Sequence, residues 1–149
     1  MTLKALIRTL QHIALKQPNI RGVGEGNLYR DLASPSIRYD LFYVTQNNHE
    51  SIEGFDTFGL NLFYISRDMN ESADNALTIQ SHAVEELKNI LRIFCDQYDA
   101  ELIGTTLFQP FVQESPDLTC GVYAICRIQV ATETDCPEYY DEMEEQYNG

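Results

Sequence analysis

The stretch from Asp74 to Asp99 carries the longest helical periodicity in the chain. Its apolar side chains recur every three or four residues, which places them on one face of an α-helix. They are Ala83, Val84, Leu87, Ile90, Leu91, Phe94, Cys95 and Tyr98. Such a helix would be about 37 Å long, at about 1.5 Å per residue. Because a wide apolar stripe is buried in a folded protein, we expect this helix to lie across one face of a sheet, with Ser72, Asp74 or Asn75 as its cap.

A second amphipathic helix is predicted at the N-terminus. Thr2 is a candidate N-cap, and Gln17-Pro18 ends the helix because the residue before a proline is disfavoured in helical geometry. The apolar stripe consists of Leu3, Leu6, Ile7, Leu10, Ile13 and Ala14.

Four strands are predicted on the two sides of the long helix. Alternation of side chains indicates Ile37–Thr45, Phe58–Ile65, Leu102–Val112 and Thr119–Val130. The element order is then α-β-β-α-β-β, which predicts an α+β domain with a four-stranded, mainly antiparallel sheet. Pro110 favours an edge position or a bend for the third of these strands.

Both faces of this sheet are expected to be covered, because the first two strands carry apolar residues on both sides. The long helix would cover one face, and the N-terminal helix or another subunit would cover the other. The two hairpin tips, Gln46–Phe55 and Gln113–Leu118, are expected to project, the first as a long mobile loop.

Two loop segments resemble ligand-binding motifs only in part. Gly22–Gly26 has neither phosphate-loop spacing nor a following lysine, so an ordinary loop is expected there, followed by a short extended piece around Leu28 and Leu32. Asp68–Ser72 resembles the start of a calcium loop, but Ala73 and Ile79 replace the required glycine and glutamate. The sequence therefore predicts no cofactor and no metal ion.

Composition indicates a globular domain with a strongly acidic surface. The chain has 149 residues, of which 44% are hydrophobic, and a net charge of −13. Such a charge repels duplex DNA. No apolar run is long enough to span a membrane and no signal peptide is indicated, so the protein is expected to stay in the cytoplasm where it is made.

No catalytic set is indicated, and the chain is predicted not to be an enzyme. Ser81 and His82 are neighbours on a helix, where their side chains diverge. The four cysteines form no CxxC pair and are interpreted as reduced structural residues. Cys120 and Cys126 would share one face of a strand but stand about 20 Å apart, too far to form a disulfide.

The chain divides into a single domain over 1–131 and an acidic C-terminal arm over 132–149. The arm contains seven Asp and Glu residues and no Lys or Arg. It is interpreted either as a frayed tail or as an arm whose large side chains dock on a neighbouring subunit. Those side chains, the candidate subunit-interface residues, are Tyr139, Tyr140, Met143 and Tyr147.

The order and spacing of several short segments resemble one known family. They are Thr2–Ile7 leading to Lys16–Pro18, Tyr43–His49, Phe63–Arg67, Ile79–Ser81, and Cys120–Ala124 ahead of Val130. Over most of residues 2–138 the chain resembles the small tail ring or tail-terminator-like proteins of tailed bacteriophages, especially those of crAss-like phages. None of these segments is a catalytic signature.

This resemblance implies a tail-terminator-like fold and a structural virion protein of the neck or tail. Such a protein would form a homo-oligomeric ring between neighbouring phage rings, portal-side or tail proteins. Genome DNA would pass through the ring without sequence-specific binding, and an acidic lumen would keep phosphates from adhering. Two other hypotheses stay open: an acidic inhibitor that mimics DNA, and a monomeric partner-binding domain.

Overall fold

In the computed structural model, which describes residues 1–34, 36–67, 73–113 and 118–134, the chain forms three helices and a mixed six-stranded sheet. This is an α+β fold, as predicted. The helices are α1 (Leu3–Leu15), α2 (Leu28–Leu32) and α3 (Ala73–Tyr98). The strands are β1 (Gly22–Glu25), β2 (Leu41–Ile52), β3 (Phe55–Arg67), β4 (Glu101–Leu102), β5 (Leu107–Gln113) and β6 (Thr119–Ala131).

The long helix α3 matches the prediction to within a residue at each end. Its end is defined by Asp99, whose φ of 52° is in the left-handed region. The amide of Ala100 then donates to the carbonyl of Cys95 at 3.1 Å, the bond that closes a Schellman motif. Ala100 itself is buried in the core, so the chain turns back onto the sheet immediately after the helix.

The sheet has six strands rather than the four predicted, in the order β1-β2-β3-β6, with β4 and β5 both paired to β6 at the far edge. Gly22–Glu25, interpreted as loop, pairs in parallel with β2, while the other pairs are antiparallel. The stretch Leu102–Val112 is divided into β4 and β5 around Gly104, whose φ is 70°. Pro110 lies in β5 at the edge, as predicted.

The first hairpin is longer and tighter than predicted. The strands β2 and β3 continue to a turn at Glu53-Gly54, where Gly54 has a φ of 87°. The expected long loop at Gln46–Phe55 is therefore wrong. A shift of register between Gln46 and Asn48 interrupts the alternation that would have indicated a longer strand. Of the second predicted tip, Gln113–Leu118, residues 114–117 lie outside the described residues.

Helices α1 and α3 lie on the same face of the sheet and enclose the main core. Of the two alternatives predicted for covering the opposite face, the N-terminal helix is therefore wrong, and another subunit stays a prediction. Thr2 caps α1 as predicted, its hydroxyl accepting from the amide of Ala5 at 3.1 Å. The core joins the apolar stripes of α1 and α3 to buried side chains of β2, β3 and β6. The helices contribute Leu6, Leu10, Leu87 and Phe94, among others. The strands contribute Phe42, Val44, Leu60, Leu62, Val122 and Ile128, among others.

A buried polar cluster fastens α1 to β1. The Arg8 guanidinium donates to Glu25 at 2.8 Å and to Gln11 at 3.0 Å, and the Gln11 amide donates to Glu25 at 2.6 Å. Arg8 is 7% exposed. Because a buried charge needs a partner, this cluster makes the position of β1 beneath α1 specific.

Among the described residues, only the β2 side of the opposite face is covered. There α2, rather than the predicted extended piece, packs Leu28 and Leu32 against a small cluster of Leu41, Tyr43 and Ile65. Asn27 caps α2 by accepting from the amide of Arg30 at 3.1 Å. Across the described ranges, no helix combines the length and hydropathy that crossing a membrane requires.

Candidate interaction surface on the open face of the sheet

The face of the sheet away from α1 and α3, here called the open face, changes character along each strand. On β6, Tyr123 and Ile125 point to this face near one end, whereas Arg127 and Gln129 follow toward the other. The antiparallel neighbour β3 shows the same change: Phe63 and Ile65 lie beside the apolar end of β6, and Asn61 and Thr57 lie toward its polar end. Apart from the hairpin turn at Ile52–Phe55, the described strands are thus apolar on both faces only near α2. A two-sided apolar strand is typical of a sheet covered on both sides.

Three aromatic rings form the centre of this apolar half. Phe63 stacks on Tyr123 with ring centroids 5.0 Å apart, and Phe111 lies 6.4 Å from Phe63 and 6.5 Å from Tyr123. Gly121 makes this packing possible. A Cβ there would stand 1.8 Å from the carbonyl oxygen of Tyr64 and 3.2 Å from Cζ of Phe111.

The rings floor a cleft of about 660 Å³ between α2 and β5. It is lined by Gly26, Asn27, Leu28, Leu32, Thr45, Asn61, Phe63, Ile65, Phe111, Val112 and Tyr123. None of these lining residues is charged, and Val112 at the rim is 60% exposed. This volume is in the range of cavities that bind small molecules or protein side chains.

An amide pair borders the cleft on the side of the hairpin. Asn61 donates to Thr45 at 3.1 Å and to Asn47 at 3.0 Å, and Asn47 donates back to Asn61 at 2.8 Å. These bonds satisfy the polar side chains of adjacent strands. The apolar surface therefore ends at a defined polar boundary.

The wall formed by α2 is held by a buried tyrosine. The hydroxyl of Tyr43, whose ring is 1% exposed, donates to Asp31 at 2.5 Å. On the opposite face of the sheet, where the ring of Tyr64 meets His82 of α3, Asp40 accepts from Tyr64 at 2.5 Å and from Ser66 at 2.6 Å. Burial and the bond to Asp40 raise the pKa of Tyr64, so this tyrosine stays protonated as a donor.

The turn of the first hairpin, here called the tip (Ile52–Phe55), is a second apolar surface on the open face. Ile52 and Phe55 are cross-strand partners beside the turn and are 67% and 45% exposed. The tip and the cleft lie at opposite ends of β3. Phe55 and Phe63 are eight residues apart, or about 26 Å at about 3.3 Å per residue.

The base of the tip is stabilised by polar contacts. His49 stacks on Phe58 at 4.3 Å and contacts Asp56 at 2.9 Å. The hydrogen bond from His49 lowers the pKa of the Asp56 carboxyl. Glu50 pairs with Arg127 across to β6 at 3.1 Å, and the amide of Thr132 donates to Gly54 at 3.0 Å. The tip is therefore a three-stranded projection rather than an isolated loop.

Among the described residues, the two ends of the sheet differ in charge. Around the cleft end, four arginines stand beside as many carboxylates; the arginines are Arg21, Arg30, Arg38 and Arg67, and the carboxylates are Glu25, Asp31, Asp40 and Asp74. Around the tip end, the carboxylates Glu50, Glu53, Asp56, Glu101 and Glu133 outnumber Arg127 and the N-terminal ammonium, which donates to the carbonyl of Thr132. The tip end is thus the more acidic of the two.

The described residues offer little for bond-making chemistry. No group of three or more His, Cys, Asp or Glu side chains gathers there to hold a metal ion. His82 contacts Asn19 at 3.0 Å and Glu86 at 3.5 Å. Burial raises the pKa of Cys95 and raises that of Cys126 to about 12, so both are protonated thiols at neutral pH. Cys120 and Cys126 lie on the same face of β6, as predicted.

The sequence-predicted interface residues Tyr139, Tyr140, Met143 and Tyr147 lie outside the described residues, as do Cys136 and the Asp68–Ser72 segment. The surface that the structure brings together was not predicted. Phe63, Phe111 and Tyr123 come from three strands, and only the register aligns them. The available signal was the two-sided apolar pattern at Val122–Ile125 beside the one-sided pattern at Cys126–Gln129.

Comparison of the chain with protein-family models, with curated proteins and with solved structures gives no match in any of the three.

Proposed function

We propose that this chain is a structural virion protein that assembles as a ring in the neck or tail of a tailed bacteriophage. The observation that carries the proposal is the open face, where an aromatic cleft and an exposed apolar tip lie on one domain. Exposed apolar surface of this kind marks a site of protein association. Contacts between two different surfaces of identical subunits generate closed rings when the rotation between neighbours closes, and open filaments when it does not.

The resemblance to tail ring and tail-terminator-like proteins supports the same function. The long helix and the mainly antiparallel sheet that the sequence pattern predicts are present as α3 and the sheet. We extend the proposal to a tail-terminator-like fold, in which β1, α2 and the divided edge strand are additions to the α-β-β-α-β-β order.

The charge of the chain suits a ring around a DNA passage. With a net charge of −13, a lumen formed by acidic surfaces repels phosphates, so the genome passes without sequence-specific binding. The neighbours in the stack would be other phage rings, portal-side proteins or tail proteins. A structure of the assembled ring with a basic lumen would contradict this part of the proposal.

The acidic arm is proposed to add to the subunit contacts. Tyr139, Tyr140, Met143 and Tyr147 supply large side chains that bury well at interfaces. The described part of the arm, residues 132–134, continues from the end of β6 beside the tip, where the amide of Thr132 donates to the carbonyl of Gly54 at 3.0 Å.

The proposal is tested by the mass of the purified chain and by electron microscopy of the same sample. Light scattering over a range of concentrations should give a discrete multiple of 17.1 kDa larger than two, with closed rings in the images. A variant that ends at Thr134 should begin to dissociate at a higher protein concentration than the full chain does. A chain that stays monomeric up to about 1 mM, where even weak specific contacts form, would overturn ring formation by self-association. It would favour a monomeric partner-binding domain or a DNA-mimicking inhibitor.

A further inference from the structure

We propose that, in the assembly, the tip of each copy fills the aromatic cleft of the next copy. The inference rests on the ring assembly proposed above and identifies its contact. The occupant is therefore a second copy of this chain, presenting Ile52 and Phe55 to a cleft built from Phe63, Phe111 and Tyr123.

The two surfaces match in chemistry. The tip presents two large apolar side chains that its own fold leaves exposed, at 67% and 45%. The cleft offers aromatic rings and aliphatic walls with no charged residue among its lining. Large apolar side chains seated in a preformed pocket are the usual anchors of protein interfaces. A polar boundary, formed by Asn47 and Asn61, surrounds the apolar contact on the hairpin side.

Charge favours this pairing over a contact between two tips. The tip end is acidic, with Glu50, Glu53 and Glu133 among its carboxylates. A tip-to-tip contact would join like charges, which disfavours it. Bringing a tip to a cleft avoids that repulsion, because the cleft lining carries no charge and the cleft end has as many arginines as carboxylates among its described residues.

The position of the surfaces makes the contact repeat. The tip and the cleft are about 26 Å apart along β3, so one copy can engage two neighbours at once. Each contact uses two different patches, and such contacts repeat around an axis and close into a ring when the rotation between neighbours allows it.

The test uses variants of the full chain that alter one surface at a time. The tip variant is Ile52→Asp with Phe55→Asp. The cleft variant is Phe111→Asp, and Leu28→Asp on the opposite wall is a second cleft variant. Leu77→Asp is the matched control, because Leu77 is 62% exposed at the start of α3 and belongs to neither surface. Thermal unfolding establishes that each variant is folded.

The expected result is that each tip or cleft variant alone is monomeric where the parent chain is assembled, a weakening of at least about tenfold. The control assembles like the parent chain. An equimolar mixture of the tip variant and a cleft variant should give a complex of twice 17.1 kDa and nothing larger. In that complex the intact tip of one variant occupies the intact cleft of the other.

Two groups of results would overturn the inference and are distinguishable. If the parent chain assembles and the tip and cleft variants assemble equally well, ring formation stands and the contact lies elsewhere. If both variants are monomeric but the mixture does not pair, the tip does not bind the cleft.

If truncation at Thr134 alone abolishes assembly, and the mixture of tip and cleft variants forms no complex, the acidic arm and not the tip fills the cleft. A parent chain that stops at a dimer, or never associates, contradicts the ring itself.

Discussion

The two faces of strand β6 show how one strand serves two purposes. Alternate residues from Val122 to Val130 point to α3 and are at most 2% exposed. The residues between them point to the open face, where Tyr123 and Ile125 are half-buried and Arg127 is exposed. The covered face completes the core of this chain. On its open face β6 is apolar around Tyr123 and Ile125 and polar around Arg127. We expect a second surface to cover the apolar half and solvent to cover the polar half.

The sharpest test of this comparison substitutes one phenylalanine on each face. Phe94→Ala removes a fully buried ring from between α3 and the sheet, and should lower the free energy of unfolding by about 3–5 kcal/mol. Phe111→Ala removes a half-buried ring from the edge strand β5 on the open face, and should cost only about 1 kcal/mol. Urea unfolding monitored at low protein concentration measures both. Equal losses would show that the open face is part of the core.

The next effect concerns the attachment of α1 to β1 on the covered face. Glu25→Ala leaves the buried Arg8 guanidinium without its carboxylate, and should lower the free energy of unfolding by about 2–3 kcal/mol, since the Glu25 side chain is itself 25% exposed. The matched control is Glu85→Ala, whose carboxylate lies 3.9 Å from Lys88 on the exposed side of α3 and is 76% exposed. That change should stay within about 0.5 kcal/mol. A similar small effect at Glu25 would show that the polar cluster does not hold α1.

A smaller effect is expected at the wall of the cleft. Tyr43→Phe removes the hydroxyl that donates to Asp31, and should lower the free energy of unfolding by about 1 kcal/mol. Because this bond joins α2 to β2, hydrogen exchange of the α2 amides should accelerate more than exchange of α3. Uniform acceleration in both helices would show that α2 is held by its apolar contacts instead.

The smallest effect is a pH dependence at the tip. The His49 hydrogen bond lowers the pKa of Asp56 in the folded chain, so Asp56 binds a proton more readily when unfolded. Its contribution to stability is present above the unfolded pKa of about 3.9 and is lost as pH falls through the lower folded pKa. Asp56→Asn should therefore flatten the acid limb of stability against pH. Unfolding at a series of pH values measures this, and an unchanged limb would exclude Asp56 as its source.

The regular patterns of the chain were predictable because they depend on local spacing alone. The apolar stripe of α3 and the alternation of β6 gave both elements within one residue of their observed bounds. The strand β1 was missed because Gly22-Val23-Gly24 shows no alternation and gains its structure by pairing with β2. A register shift at Asn47 hid the extension of β2. Of the two alternatives for the second face of the sheet, α1 was the wrong one, because an apolar stripe does not specify which face of a sheet it covers.

The candidate surface depends on register and could not be predicted to the same degree. Phe63 and Phe111 are 48 positions apart in the chain and meet only because both strands pair with β6. Single-strand patterns did show that both faces of the sheet were apolar. They did not show that the second apolar region would be a bounded cleft, or that Ile52 and Phe55 would stand exposed at a tight turn.

Hydrogen exchange of the full chain at low and high protein concentration tests the central claim most directly. If the open face is the contact surface, raising the concentration should slow exchange in two separated segments, Ser51–Thr57 at the tip and Leu107–Val112 beside the cleft. Exchange in Val84–Phe94 of α3, on the covered face, should stay the same at both concentrations. Slowing confined to other segments, or no change with concentration in a chain shown to assemble, would contradict the account.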